Sequence, residues 1–195
     1  ITHHAAVHAA FTGAGPSPAP TRIFNMSSRR SIRLKNHDYT SGVYFITLVT
    51  DQRRRLFGDV INGEMWLSAA GEEARNQCLN LANLRSNTLL DEFVVMPDHF
   101  HAIIWLKKSD SQFEFSRFHG QPDKPLRRFS GSPGSSLMSV IGSYKSGLSR
   151  YLRLIDCSLG QVWQRDYFEK IVMNKTELLA YRKYIRDNPK NWRKN

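Results

Sequence analysis

Cysteine is almost missing from this chain: Cys78 and Cys157 are the only two in 195 residues. They lie far apart and no C-x-x-C spacing occurs, which removes a redox pair of that type; two reduced, partly buried thiols suit a cytoplasmic protein. Long apolar runs are missing too. The strand-sized "FVVM" and "AIIWL" fall well short of the roughly 20 residues that a membrane-spanning helix needs, so a membrane role is not expected. No internal repeat is visible. Acidic residues are scarce, 17 against 28 Lys and Arg, which leaves a net charge of +11 and a pI near 10.0. Such an excess favours polyanionic partners, of which nucleic acid is the commonest. What remains is ordinary: 41% hydrophobic residues and a length that supports one domain with a proper core.

Residues 1–25 differ in style from the rest. They are rich in Ala, Pro and Gly, hold no acidic residue, and have Arg22 as their only basic one. His3, His4 and His8 have nothing to hold them in ligand geometry, and the segment lacks the charged start and continuous apolar stretch of a signal peptide. This composition predicts a disordered extension, with Met26 as the candidate true start and a single domain over residues 26–195.

Within that domain, "GVYFITLVT" (Gly42–Thr50) is rich in β-branched and aromatic residues and reads as a strand. "DQRRRLFG" follows as a basic connection. From Ser68 to about Leu84 the pattern is helical, with Ser68 as cap and Ala70, Ala74, Cys78, Leu81 and Leu84 on one face. "TLLDEFVVM" and "HAIIWL" read as two further strands, paired as a hairpin across "PDHF". Residues 107–136 are dense in Gly, Pro and Ser and predict a long flexible loop. A helix over Leu137–Leu154, an extended "QVWQRDYFEKIVM" and a helix over Asn174–Asn188, stopped by Pro189, complete the chain. Strand, helix, strand, strand, helix, strand, helix is the order of an α+β, ferredoxin-like (RRM-like) antiparallel sheet with an extra C-terminal helix.

Two histidines stand inside the apolar stretch "VVMPDHFHAIIWL". Side chains at i and i+2 of a strand share a face about 7 Å apart, so His99 and His101 can converge on one ion; the alternative is a pair of satisfied core or surface histidines. On the last helix, Tyr184 and Asn188 also share a face, one turn apart. Asn188 offers a third, oxygen ligand and Tyr184 a nucleophile, unless Tyr184 is simply an amphipathic core residue.

These pieces together resemble the single-tyrosine HUH transposases, named for histidine–hydrophobic–histidine, here His99, Phe100 and His101. The closer resemblance is to the REP-associated tyrosine transposases. It rests on "MPDHFHAIIWL", "SGVYFITLVTDQRRRLFG", "VWQRDYFEKIV" and "YIRDNPKNW", which occur in the family's order from about Arg29 to Trp192. The resemblance implies cleavage and rejoining of single-stranded DNA at hairpin-flanked sites. His99, His101 and Asn188 would hold Mg²⁺ or Mn²⁺, and Tyr184 would form a 5′-phosphotyrosine, with Tyr181 and Tyr167 as displaced competitors. Bond energy is conserved in such a reaction, so no nucleotide cofactor is expected.

The basic excess supplies candidate phosphate contacts: Arg53, Arg54, Arg55, Arg127, Arg128, Lys145, Arg150, Arg182, Lys183 and Arg186, each with a solvated surface charge as its plainer reading. Gln164 and Arg165 join them through "WQR", in which Trp163 is either a contact or core. The expected partner is single-stranded DNA with hairpin structure, bound by a monomer or homodimer in the cytoplasm, nucleoid-associated when on DNA. A non-catalytic nucleic-acid-binding ferredoxin-like domain is the rival reading. A hydrolytic zinc enzyme explains the histidines less well, because H-E-x-x-H spacing is missing.

Overall fold

β1 (Gly42–Val49) is buried along nearly its whole length, as a central strand covered on both faces must be. In the computed structural model, which describes residues 37–81, 87–107 and 136–193, β1 pairs antiparallel with β5 (His99–Leu106) on one side and with β6 (Phe168–Ile171) on the other. β4 (Thr88–Val95) forms the expected hairpin with β5, giving the sheet order β4-β5-β1-β6. α1 (Ala69–Leu81) lies between β1 and β4 in the chain, α2 (Leu137–Ile155) between β5 and β6, and α3 (Lys175–Asp187) follows β6. This is the ferredoxin-like β-α-β-β-α-β order with one added helix.

A small β2–β3 hairpin (Gly58–Ile61 and Glu64–Leu67) stands where the basic connection was expected to run on to α1. Its signal is present in the sequence as Asn62-Gly63. Both residues take positive φ, 53° and 80°, the conformation that a two-residue hairpin turn demands and that Asn-Gly tolerates best.

The alternation of β1 and β5 sorts their side chains to two faces. Tyr44, Ile46 and Leu48 join Phe100, Ala102 and Ile104 against Ala74 and Cys78 of α1 and Val140, Tyr144 and Leu148 of α2. Val43, Phe45, Ile103 and Trp105 point the other way, onto Leu178 and Ile185 of α3. His99 and His101 fall in the second set by the same alternation.

The helix caps follow from their sequences. Ser68 Oγ accepts from the Gly71 amide at 3.1 Å and Asn174 Oδ1 accepts from the Glu177 amide at 3.0 Å, each satisfying a donor the first helical turn leaves unpaired. α1 packs closely at its start, where a Cβ on Gly71 would come within 2.1 Å of the Phe57 carbonyl. α3 is fastened to β4 by charge. Arg182 pairs with Asp91 and Arg186 with Glu92, at a register shift between Leu90 and Phe93, and such a bulge turns neighbouring side chains toward one face.

The expected extension 1–25, the loop 107–136 apart from Lys107 and Ser136, and Leu84, Arg127 and Arg128 lie outside the described residues. Among the described residues no helix is long and apolar enough to cross a membrane.

Candidate active site

β5 begins at His99, two residues before the expected "HAIIWL", so both histidines belong to the strand and share its α3-facing side. Their ring centroids are 4.7 Å apart. His101 is almost completely buried, with its ring stacked on Phe45 at 5.3 Å. His99 lies nearer the rim, 5.6 Å from the ring of Trp192.

Each imidazole engages a protein partner through Nδ1. His101 Nδ1 is 2.8 Å from Thr47 Oγ1, the residue opposite it in the β1–β5 register. His99 Nδ1 is 2.5 Å from Asp98 Oδ1. Nε2 is then the nitrogen that each ring has to offer. Burial pushes His101 well below the usual histidine range, the nearby charge of His99 pushes the same way, and a backbone hydrogen bond at Ile46 only partly opposes them. A neutral imidazole is the form that ligates metals. At Asp98, burial would raise the carboxyl, but the hydrogen bond and charge of His99 and the Arg53 guanidinium outweigh it and hold Asp98 below the usual carboxylate range.

α3 brings the other half. The Tyr184 ring meets the His101 ring edge-on at 5.2 Å and the Phe45 ring at 5.8 Å. Burial raises Tyr184 above the ordinary phenol, while a hydrogen bond with the Asn188 side chain one turn on works against that rise. Tyr184 is therefore a protonated phenol at neutral pH, held beside a neutral histidine. Asn188 is itself nearly buried. Tyr181 turns its ring onto Phe45 at 4.4 Å, and Tyr167 packs on the core of the opposite sheet face.

Among the described residues no three His, Cys, Asp or Glu side chains come together as a metal-binding group. The Asn188 amide hydrogen-bonds the tyrosine whose ring meets His101. Two imidazoles with partnered Nδ1 atoms and an amide oxygen make a mixed nitrogen–oxygen set that suits a divalent cation. The residues fit the group.

The candidate phosphate contacts divide. Arg182 departs from expectation: it is buried, with Nε 3.0 Å and Nη2 2.7 Å from the Asp91 carboxylate, which also accepts from Trp105 Nε1 at 2.9 Å. It cannot reach a phosphate while it holds that pair. Arg53 is ion-paired with Asp98 at 3.2 Å, Arg55 with Asp59, Lys183 with Asp187, and Arg186 with Glu92 at 3.0 Å. Arg54 donates to the Gln161 carbonyl. Lys145 Nζ donates to the carbonyls of Gln164 at 2.7 Å and Arg165 at 3.0 Å, so it shapes the "WQR" segment. Arg150 lines a groove between α1 and α2 together with Gln77 and Tyr151, on the sheet face away from the histidines. Trp163 is core, packed on Phe57 and Tyr144 at 5.4 and 5.9 Å.

Three residues of the site were not singled out from sequence. Asp98 had a signal, its place directly before His99 in "PDHFH". Thr47 had none, because only strand register brings it to His101. Trp192 closes the "YIRDNPKNW" segment, and its indole nitrogen is buried with no hydrogen-bond partner among the described residues.

No protein-family model matches the chain. It is 34% identical over 170 residues to an uncharacterized protein of Haemophilus influenzae, a match that spans 84% of this chain and 89% of that one. Its fold is similar to that of a REP-associated tyrosine transposase bound to a REP hairpin, with a TM-score of 0.51 at 18% identity over 80% of this chain and 72% of the other. A crystal structure of a putative transposase from Deinococcus radiodurans overlaps less well, with a TM-score of 0.37 at 15% identity over 80% of this chain and 95% of the other.

Proposed function

We propose that this chain, which belongs to one family with the Haemophilus influenzae protein and shares its fold with a REP-associated tyrosine transposase, cleaves and rejoins single-stranded DNA through Tyr184. The observation that carries the reading is the meeting of two separate elements. The β5 histidines and the α3 pair Tyr184 and Asn188 have no sequence proximity, yet the Tyr184 ring lies 5.2 Å from the His101 ring.

His99, His101 and Asn188 would hold Mg²⁺ or Mn²⁺, and when bound the ion supplies Lewis-acid polarisation of the scissile phosphate. The protein's own groups do the rest. Tyr184 Oη attacks the phosphorus and forms a 5′-phosphotyrosine; the bond to the 3′-oxygen breaks, and that oxygen leaves as a hydroxyl, with the phenolic proton transferred to it by way of solvent. Attack by a 3′-hydroxyl on the phosphotyrosine reverses the step and regenerates the phenol. Burial raises Tyr184 above the ordinary phenol, so its hydroxyl carries the proton before attack. Phe45, stacked on His101 and edge-on to Tyr184, keeps the two rings apart from bulk solvent.

The substrate is single-stranded DNA beside a folded hairpin. The +11 charge favours such a polyanion, and the solved relative bound to a REP hairpin supports the hairpin part. A labelled hairpin with single-stranded flanks, incubated with Mn²⁺ and resolved on a denaturing protein gel, tests the reading. A covalent protein–DNA band that disappears in Tyr184→Phe is the expected result. Tight binding with no adduct under any metal condition would turn the assignment to a non-catalytic nucleic-acid-binding domain.

A further inference from the structure

Asp98 lies directly behind His99 and is held from three directions. Its carboxylate meets His99 Nδ1 at 2.5 Å and Arg53 Nη1 at 3.2 Å, and its side chain is only 7% exposed. Its carbonyl accepts from the Thr50 amide at 2.9 Å, and the Thr50 hydroxyl sits between that carbonyl and the one of Arg54. Arg53 reaches Asp98 from a turn in an uncommon conformation. Gln52 and Arg53 both take left-handed φ, 52° and 53°. Side chains other than glycine resist that region, and they remain there only where surroundings enforce it. Here the turn delivers a guanidinium to the carboxylate behind the histidine.

We infer that Asp98 and Arg53 are positioning residues of the metal centre: Asp98 holds the His99 ring with Nδ1–H turned inward so that Nε2 faces the ion, and Arg53 holds Asp98. The inference rests on the function proposed above, and it moves Arg53 from the DNA-contacting set to the frame of the site. A carboxylate behind a ligating imidazole fixes its tautomer, aims its free nitrogen and raises its basicity. The two histidines then differ in kind. His101 is fixed by burial and by the neutral Thr47 hydroxyl. His99 is nearer the rim and lacks that enclosure, so a charged partner does the work that packing does for His101.

Two measurements on the full chain test this. The first reads the His99 tautomer in metal-free protein by long-range ¹H–¹⁵N spectra, which needs neither metal nor DNA. The second titrates Mn²⁺ by electron paramagnetic resonance. Wild type should show Nδ1–H at His99. Asp98→Ala should lose that preference and bind Mn²⁺ about 10–100-fold more weakly, the usual effect of removing an outer partner. Arg53→Ala should weaken binding by a smaller factor, with recovery in Arg53→Lys. Should Asp98→Ala fail to fold, Asp98→Asn keeps the shape and an acceptor without the charge and should give an intermediate loss. A folded Asp98 variant with unchanged tautomer and Mn²⁺ affinity within twofold of wild type would overturn the inference while leaving the proposed function intact. Absence of Mn²⁺ binding in wild type would overturn both.

Discussion

Arg182 grips Asp91 through two guanidinium nitrogens, at 3.0 and 2.7 Å, in a place where the two side chains are 7% and 5% exposed. One partner lies on α3, two residues before Tyr184, and the other on β4. The pair therefore fixes how α3 is rotated over the sheet, and with it where Tyr184 and Asn188 point.

Removing one partner strands the other as a buried charge. Arg182→Ala should lower unfolding stability by about 3–5 kcal/mol. Replacing both, as Arg182→Met with Asp91→Asn, which keeps an acceptor for Trp105 Nε1, should cost less. Urea denaturation of the single and double variants separates the cases, and a double variant as unstable as Arg182→Ala would contradict the argument. DNA affinity of the folded double variant should change little.

Tyr184 and Tyr181 sit one turn apart and both touch Phe45, but only Tyr184 meets His101. Tyr184→Phe should abolish the covalent DNA adduct while leaving the melting temperature within a few degrees. Tyr181→Phe should retain the adduct. Reversal of this pair in the denaturing gel would move the nucleophile one turn back along α3.

A methyl group has no room at Gly71, where it would lie 2.1 Å from the Phe57 carbonyl. Gly71→Ala should destabilise the protein by about 1–3 kcal/mol in spite of alanine's better helix propensity. Thermal unfolding checks it. A stabilised variant would mean that the α1 start and the Leu56–Phe57 segment separate easily.

Alkaline pH should loosen the core between the sheet and α1 and α2. Burial raises both the Cys78 thiol and the Tyr144 hydroxyl well above their ordinary values, and Tyr144 donates to the Ala74 carbonyl at 3.0 Å. Groups raised in the folded state contribute stability that is complete below the unfolded pKa and is lost as pH rises toward the folded one. The decline should begin above roughly pH 8.5 for the thiol and pH 10 for the phenol. Chemical denaturation at a series of pH values should show a shallower alkaline slope in Cys78→Ala, whatever its overall stability; an unchanged slope would remove Cys78 from the account.

The sheet and its three covering helices could be read from the sequence because each obeyed a local rule. Its β-branched and aromatic residues marked β1, Ser68 and Asn174 marked helix starts, and Pro189 lay beyond the last one. The β2–β3 hairpin was harder to see because its strands are only four residues each, too short for periodicity to register. His99, His101, Tyr184 and Asn188 were visible as same-face pairs, and the fold brings the pairs together. What sequence could not supply was pairing across the sheet. Arg182 looks like any basic helix residue until Asp91, 91 positions earlier, turns out to lie beneath it. Arg53 looked like a phosphate contact for the same reason.

The Asn62-Gly63 turn has a role beyond closing its hairpin. A Cβ at Gly63 would lie 3.6 Å from Lys190 Cα, so the hairpin tip rests against the segment that leaves α3. That helix is thus braced by β4 at its middle and by the β2–β3 tip beyond its end, all within one polypeptide. The histidines and tyrosine that meet here come from one chain, and under the proposed cleavage a cis arrangement predicts a rate at saturating DNA that scales with the first power of protein concentration.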